Sequence, residues 1–368
     1  MQTRATNREN GIALIVVLLI VAIIMVIAVE MSSRLQLNVA RTSNLKANNQ
    51  AYWYALGAEH FAKNSLTTLV SLTGENINLS QPWAEEFEYP VQGGSIKATL
   101  TDMQACFNLN AVNSGFDANA NPNKQNSDPN TEIGNSNTDP SANQVENKRK
   151  ITRQITNNPT NGPSQSQKAF HRLLEYFIQD SLVTDTIRDS LVDWIDDNSQ
   201  PENYGAEDAD YESLVNPYLA ANNPLGHPSE LRLINGIEQA MQIGSLDDLL
   251  KVVCVLPETR LKVNVNTITQ ENAVVLSSLL GDTSDSGLNI IQSRPEDGFK
   301  KKEDFLALSE IVALDLSPEQ KQWFEVTTTY FKLNTTSKFQ GSQFRLSTIF
   351  KLDEGKVSVV SREFGGAF

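Results

Sequence analysis

The chain has few basic residues for its length. Its 368 residues include 30 Lys and Arg against 44 Asp and Glu, so the formal net charge is −14 at pH 7. An acidic surface of this kind repels the phosphates of nucleic acids. The composition therefore predicts that nucleic acid is not a partner. The length allows two or three domains with a sizeable core.

Sequence motifs of catalysis are also missing. The chain contains no G-x-S-x-G, H-E-x-x-H, P-loop or G-x-G-x-x-G pattern. Its three histidines, His60, His171 and His227, are far apart, and none belongs to a pair with metal-ligand spacing. Paired carboxylates in an acidic cleft could still support hydrolysis, although no pattern points to such a pair. We predict that the protein is not an enzyme.

Cysteine is limited to Cys106 and Cys254. In an oxidising compartment the two could pair. Closing a loop on the order of 150 residues would then stabilise the fold by roughly 4–5 kcal/mol. Two unpaired buried thiols are the alternative, and the choice depends on the compartment.

One long apolar run stands out against these scarcities. Residues 12–29, IALIVVLLIVAIIMVIAV, are uninterrupted apolar residues, and a spanning helix needs roughly 17–25. A cleavable signal peptide has a shorter apolar region of about 7–15 residues and then a small-x-small site. The following AVEMSSRLQL has no convincing site of that kind, so the run predicts a membrane anchor. Because Arg4, Arg8, Arg34 and Arg41 lie on both sides, charge specifies the topology only weakly.

The helix predicted to begin in this run continues well beyond it. No proline occurs from Ile12 to Leu72, and Gly57 is the only glycine there. A second apolar stripe has helical spacing; its members are Ala51, Ala55, Ala58, Ala62, Leu66 and Leu69. One helix of about 60 residues, roughly 90 Å long, would leave the membrane and pack its second half on a soluble domain. That arrangement suits a filament subunit.

These residues resemble the start of type IV pilins and type II secretion pseudopilins. A basic leader ends in Gly11, and the apolar segment starts at Ile12. The resemblance implies that a prepilin peptidase cuts after Gly11 and that the new N-terminus at Ile12 is methylated. The family normally has a glutamate as fifth residue of the mature chain, where this sequence has Val16. That departure is characteristic of the minor pseudopilins of the protein K family, which are thought to lie at the filament tip.

The remaining sequence predicts an α+β fold. FEYPVQGGSIKATLTDMQACFNLN indicates two strands around Gly93-Gly94. Residues 113–167 are rich in Asn, Ser, Thr, Pro and Gly, which predicts disorder. Helical segments follow, with Ser229, Ser245 and Ser317 as expected N-caps. YFKLNTTSKF, SQFRLSTIFKLDEG and KVSVVSREF alternate as an antiparallel meander does.

The order of these segments resembles the protein K family across nearly the whole chain. CFNLN (106–110) and VNVNT (263–267) are similar to its flanks around an α-domain, and DWIDDN, GAEDADY and SELRLINGI to motifs inside that domain. The resemblance implies a pilin-like fold, with a long N-terminal helix and an antiparallel sheet, that carries a large inserted all-α domain. The predicted parts are a leader (1–11), a transmembrane segment (12–29), the rest of the helix with the first strands (30–106), the inserted α-domain (107–262), and a second helical segment with the closing strands (263–368).

Carboxylates are concentrated in residues 193–211, DWIDDNSQPENYGAEDADY. Two carboxylates about 4 Å apart repel by about 1 kcal/mol in water, so the cluster favours a counter-cation. Oxygen ligands without His or Cys favour calcium over zinc or copper. The spacing is not that of an EF-hand, and a solvated acidic loop is the alternative. The protein K α-domain binds calcium, so the resemblance favours a structural calcium ion; the candidate ligands are Asp196, Asp197, Asn198, Glu207 and Asp208.

The leading functional prediction is a minor pseudopilin of a type II secretion system. The resemblance implies a single-pass inner-membrane protein with its bulk in the periplasm, which joins minor pseudopilins I and J, the pseudopilus and the assembly platform. It would form the pseudopilus tip and help to start assembly for export across the outer membrane. Two alternatives are a membrane-anchored, calcium-stabilised periplasmic enzyme and a DNA-uptake pseudopilin. The DNA-uptake alternative is suggested by the segment RPEDGFKKKEDFLAL, which resembles a helix-hairpin-helix module. Its residues Lys300, Lys301 and Lys302 could form a local basic patch.

Overall fold

The computed structural model describes residues 10–73, 76–113, 162–242, 246–281, 285–353 and 355–365. Residues 1–9 of the predicted leader and 114–161 of the predicted disordered stretch lie outside this part. The chain forms two compact units. The first comprises the N-terminal helix, Leu79–Asp102 and the segment that starts at Thr329, and the second comprises Asn76–Asn78 and Met103–Thr328. The α+β fold class is confirmed.

Helix α1 (Asn10–Thr73) is one uninterrupted helix of 64 residues, which confirms the long helix predicted from the lack of proline. Its residues 13–46 are exposed throughout. Within the described residues, α1 is the one helix long and apolar enough to cross a membrane, with a mean hydropathy of 3.3 in its most apolar window. Residues 13–29 of α1 therefore present apolar side chains on all sides, whereas the exposed residues from Glu30 to Lys46 are a mixture of polar and apolar.

From Ala47 onward, α1 buries one face on the sheet of the first unit. The buried positions repeat at helical spacing; they are Ala47, Ala51, Ala55, Ala58, Ala62 and Leu66. Alanine lets the helix backbone approach the strands closely, so the Ser337 hydroxyl can donate to the Ala51 carbonyl at 2.6 Å. The predicted stripe is thus confirmed, except that Leu69 is only half-buried.

The sheet of the first unit is five-stranded and antiparallel. Its strands are β1 (Phe87–Val91), β2 (Gly94–Asp102), β7 (Tyr330–Phe339), β8 (Ser342–Asp353) and β9 (Lys356–Phe364). They lie in the order β1-β2-β7-β8-β9. The predicted hairpin and closing meander are both confirmed. Gly93, with φ +80°, makes the tight turn between β1 and β2 that a side chain would strain.

A buried ion pair connects α1 to the edge strand β9. The Glu59 side chain is 3% exposed. Its carboxylate accepts from Arg362 Nε at 2.7 Å, from Arg362 Nη2 at 2.8 Å and from the Thr348 hydroxyl at 2.8 Å. Burial alone would raise the pKa of Glu59, but the bonds from Arg362 and Thr348 outweigh it and hold the pKa below its usual value.

The second unit is mainly helical. Its helices are α2 (Gln165–Phe177), α3 (Ser181–Ile195), α4 (Asp208–Glu212), α5 (Ile237–Gln242), α6 (Leu246–Val252), α7 (Ala273–Leu280), α8 (Ser286–Ser293), α9 (Lys302–Leu306), α10 (Ser309–Ala313) and α11 (Pro318–Trp323). Two short parallel strand pairs accompany them. They are β3 (Phe107–Asn108) with β4 (Val253–Cys254) and β5 (Val263–Asn264) with β6 (Phe324–Glu325).

The structure places residues 263–328 in this helical unit, whereas the sequence prediction grouped them with the closing strands. One hydrophobic core runs from Ala105 to Phe324 and includes side chains from α2 to α11. The pairing of β5 with β6 also joins the start of this segment to its end. The helices after residue 263 thus share their core with those before it, which the sequence pattern alone does not reveal.

Helix starts confirm some predicted caps and correct others. Ser317 caps α11, accepting from the Gln320 amide at 3.2 Å, as predicted. Ser229 is not an N-cap, because it lies inside a 3₁₀ turn, Pro228–Leu233, whose capping acceptor is His227 Nδ1. Ser245 lies outside the described residues. The predicted disorder also extends too far, since α2 begins at Gln165 after Ser164.

The CFNLN motif joins distant segments of the second unit. Asn108 donates to the Glu258 carbonyl at 2.7 Å and accepts from the Leu256 amide at 3.0 Å. Asn110 donates to the Leu225 and Leu256 carbonyls at 2.9 Å and accepts from the Leu225 amide at 2.7 Å. Both asparagines are buried, so their amides satisfy backbone groups that no strand pairing reaches.

The VNVNT motif works in the same way. Asn264 donates to the Ile77 carbonyl at 3.0 Å. Asn266 donates to the Phe299 carbonyl at 3.0 Å and accepts from the Phe299 amide at 2.8 Å. The structure also joins Cys106 and Cys254 in a disulfide with a Cα–Cα distance of 5.9 Å. The crosslink lies beside the β3–β4 pair and closes a separation of 148 residues.

Replacing Arg362 by Ala should destabilise the first unit. The change leaves Glu59 buried with Thr348 as its remaining donor, and losing one partner of a buried pair costs about 3 kcal/mol at the lower end. We expect this lower end because Arg362 is 42% exposed. Differential scanning calorimetry of the full chain in detergent measures the effect. Lys356→Ala, an exposed cation on the same strand, is the matched control, and equal melting of both variants would contradict the assignment.

Candidate metal centre in the acidic loop

The predicted metal ligands lie in the loop between helices α3 and α4. Helix α3 begins after Asp180, whose carboxylate accepts from the Leu182 amide at 2.9 Å. It buries Ile187 and Leu191 in the core. Asp196 ends the helix, with its amide bonded to the Val192 carbonyl. The loop therefore starts from a well-packed helix.

Two buried aspartates one helical turn apart bind the middle of this loop. Asp193 is 0% exposed, and its two carboxylate oxygens lie 3.0 and 3.2 Å from the Glu202 amide nitrogen. Asp189 accepts from the Tyr204 amide at 3.2 Å. The Gly205 amide closes the turn on the Glu202 carbonyl at 3.1 Å. A Cβ at Gly205 would lie 1.7 Å from Asp193 Oδ2, so this close approach requires glycine.

Glu207 is the one predicted ligand that is fully buried and lacks a donor. It is 5% exposed, and neither carboxylate oxygen has a hydrogen-bond partner. A buried carboxylate without donors is costly unless it takes up a proton or meets a cation. Burial raises the pKa of Glu207, and the charges of Asp196 and Asp208 raise it further. The structure thus brings the carboxylates of Asp196 and Asp208 within electrostatic range of Glu207.

The other predicted ligands have partial roles in loop structure. Asp196 accepts from the Asn198 amide at 3.1 Å, and Asn198 accepts from the Gln200 amide at 2.8 Å. Asp208 accepts from the Ala220 amide at 3.0 Å. Burial raises the pKa of Asp196, and the nearby charge of Asp197, which is exposed, adds to this. Each acceptor keeps further lone pairs that a hard cation could use.

The fit of this loop to a cation rests on Glu207. Among the residues that the structure describes, no three His, Cys, Asp or Glu side chains converge as a finished metal-ligand set. The orphaned carboxylate of Glu207 is nevertheless the group that a calcium ion would satisfy, with oxygen donors of Asp196 and Asp208 on either side in sequence. The donor chemistry fits calcium.

Sequence reasoning did not single out Asp189 and Asp193 as loop-binding residues. Burial raises the pKa of Asp193 to about 7; the Glu202 amide lowers it, while the charges of Asp196 and Glu207 raise it. The spacing alone offered no clear signal, because Asp189 and Asp193 lie one helical turn apart on the side of α3 opposite Ile187 and Leu191. A stripe of aspartates on that side is typical of a solvent-exposed polar face, whereas the structure buries both.

Aromatic rings connect the end of helix α3 to helix α4. Trp194 contacts Tyr211 edge-on, with ring centroids 5.3 Å apart, and Tyr211 stacks on Tyr218 at 5.2 Å. The Tyr211 hydroxyl accepts from the Asn235 amide at 3.3 Å. The ring contacts pack Trp194 of α3 against Tyr211 of α4 within the core.

Two of the three lysines in the basic patch that suggested DNA lie near carboxylates. Lys300 Nζ lies 3.8 Å from an Asp297 carboxylate oxygen, and Lys302 Nζ lies 3.4 Å from one of Glu325. A surface that grips phosphates needs cations that are not already paired with carboxylates. These two contacts reduce the positive charge available to a phosphate around Lys300 and Lys302.

Two family models match the chain. Both are described as type II secretion system (T2SS), protein K; one matches residues 105–258 and the other residues 263–327. Their junction agrees with the predicted boundary after residue 262. It falls in the middle of the second compact unit.

Similar proteins extend the match to the whole chain. Type II secretion system protein K of Aeromonas hydrophila is 31% identical over 375 residues, and that of Dickeya chrysanthemi is 32% identical over 385 residues; each alignment covers 98% of both chains. Among solved structures, a chain of the GspK-GspI-GspJ complex from the enterotoxigenic Escherichia coli Type 2 Secretion System matches with a TM-score of 0.67. The two are 25% identical, and the match covers 89% of this chain and 100% of that one.

In a chelator, the protein should become less stable as the pH rises from 5 to 8. The fold raises the pKa values of Asp193, Asp196 and Glu207, so the folded state holds protons that the unfolded chain releases. The three carboxyl groups contribute their full stability below the pKa values of the unfolded chain. This contribution is lost as the pH rises through their pKa values in the folded state, which is about 7 for Asp193. Calorimetric melting in EDTA should show the fall. Asp193→Asn should flatten the curve, and a wild-type melt that rises over this range would refute the assignment.

Proposed function

The chain belongs to the type II secretion system protein K family, and we propose that, as a minor pseudopilin, it forms the tip of the periplasmic pseudopilus and helps to start its assembly. The observation that carries this is the two-part helix α1. Its residues 13–46 are exposed, and from Ala47 it packs on the sheet. The apolar part of the exposed stretch, residues 13–29, needs either lipid or neighbouring helices around it.

The proposed action is assembly rather than turnover. Residues 12–29 would hold the protein in the inner membrane as a single-pass anchor. On extraction, the same apolar surface would bundle with the helices of neighbouring pseudopilins. Residues 12–29 contain no charged side chain, and Val16 stands where pilins normally carry glutamate. A subunit without that carboxylate lacks the group that aligns it with a subunit above it. This absence is consistent with a position at the tip of the filament.

Pseudopilins I and J are the proposed direct partners. The solved relative was determined as a GspK-GspI-GspJ complex, and the full coverage of that chain supports the same combination here. The assembly platform of the inner membrane and a prepilin peptidase would act on the protein before and during assembly. The Cys106–Cys254 disulfide supports a periplasmic location for the bulk of the chain, because disulfides persist in oxidising compartments.

A structural calcium ion is proposed for the α3–α4 loop. Glu207 would be its central ligand, with Asp196, Asp197, Asn198 and Asp208 as further oxygen donors. The ion would supply the positive charge that the buried carboxylate lacks. Its role would be to fix the shape of the helical unit. The enzyme and DNA-uptake alternatives have no comparable observation in their favour.

Co-expression with a prepilin peptidase and pseudopilins I and J tests the assembly role. We expect intact-mass analysis to give a mature N-terminus at Ile12, and the processed chain to co-purify with both partners. Gly11→Val should block the cut, whereas Gly57→Ala, a change inside α1, should leave it intact. A cut after residue 29, or an uncut chain that binds neither partner, would exclude the pseudopilin mechanism.

Calcium should raise the melting temperature of the full chain in detergent. At a free concentration about 100 times the dissociation constant, binding adds about 2.7 kcal/mol to the free energy of unfolding. Glu207→Gln should abolish this gain because it removes the central charge. Glu212→Gln, an exposed position at the end of α4, is the matched control. Identical melting in calcium and in EDTA would rule out the ion without affecting the pseudopilin assignment.

A further inference from the structure

We infer that Asp193 is a positioning residue for the cation site: it holds the turn at residues 202–205 on helix α3 and thereby fixes the backbone from which the buried Glu207 follows. This inference rests on the proposed calcium site. It assigns a separate task to a carboxylate that is not among the predicted ligands. The observation behind this inference is that Asp193, Gly205 and Glu207 lie close together.

The turn is attached to α3 at two points. Asp193 accepts the amide of Glu202, and Asp189, one helical turn earlier, accepts the amide of Tyr204. These carboxylates lie on a 15-residue helix whose apolar face is locked in the core. The turn therefore has a rigid support, and its backbone cannot shift without losing both bonds.

The position of Glu207 follows from that turn. Only the buried Ala206 separates it from Gly205, and the Glu207 amide donates to Asp210 Oδ2 at 3.0 Å to start helix α4. The residue is thus held from both sides, by the α3-bound turn and by the α4 cap. Gly205 allows the contact with Asp193, because any side chain there would meet the carboxylate.

Asp193 and Glu207 divide two tasks between them. Both oxygens of Asp193 lie near the Glu202 amide, and one of them also faces Gly205. Both oxygens of Glu207 lack a partner. The first carboxylate is therefore engaged with backbone, whereas the second keeps its oxygens for an ion. Groups that orient metal ligands in this way change affinity without touching the metal.

The two roles separate in one experiment on the full chain in detergent, titrated with calcium by calorimetry. Asp193→Asn keeps the size and one acceptor oxygen but weakens the bond to Glu202. We expect calcium affinity to fall by about 10–100-fold, the usual effect of losing a ligand-orienting partner. In EDTA at pH 8 the same variant should melt at or above the wild-type temperature, because it removes a buried charge. A purely structural residue would give lower stability in EDTA and unchanged affinity.

Two further variants support the test. Gly205→Ala should also lower calcium affinity, because its methyl group displaces Asp193, and Glu212→Gln should leave affinity unchanged. Competition between calcium and terbium, followed by terbium luminescence, reports the affinity of the site independently. Wild-type affinity in both Asp193→Asn and Gly205→Ala would overturn the inference and leave the calcium site standing. No calcium binding by the wild-type chain would overturn the site and the inference together.

Discussion

The constraint on which the rest of the structure depends is that one continuous helix serves two environments. Up to Lys46, α1 is exposed on every side, and from Ala47 it is buried on one face. A sheet can follow the helix closely only where the buried face is small, which explains the alanines. Small side chains bring little apolar area to the contact, so Glu59 adds a specific attachment to the last strand through Arg362.

The helical unit has a different constraint, because segments that are far apart in sequence must be held together in its interior. Two-residue strand pairs offer few ladder bonds, so buried asparagine amides replace them. Asn108 and Asn266 each donate to one carbonyl and accept from one amide of a distant segment. An asparagine does this because it carries both donor and acceptor on a short side chain. The pairs in CFNLN and VNVNT are thus parts of the fold's framework.

Periodicity and local chemistry predicted much of the fold. The length of α1, the β1–β2 hairpin, the Ser317 cap and the closing meander each depend on residues adjacent in sequence. The failures depend on tertiary context. Ser229 is a good capping residue, but His227 takes the position because a 3₁₀ turn starts one residue earlier. The core that joins residues 263–328 to the preceding helices is likewise not visible locally, and neither is the backbone pairing of Asp189 and Asp193 with the loop.

Three buried carboxylates in this chain differ in the hydrogen-bond donors that surround them. The comparison explains why the acidic loop depends on the surrounding solution. Glu59 meets a guanidinium and a hydroxyl, and its pKa is lowered. Asp193 meets a backbone amide, which offsets only part of the cost of burial, and its pKa rises to about 7. Glu207 meets no donor at all. A carboxylate that its own chain leaves unsatisfied favours a proton or a cation from the solution, and this preference is the physical basis of the calcium site proposed for the loop.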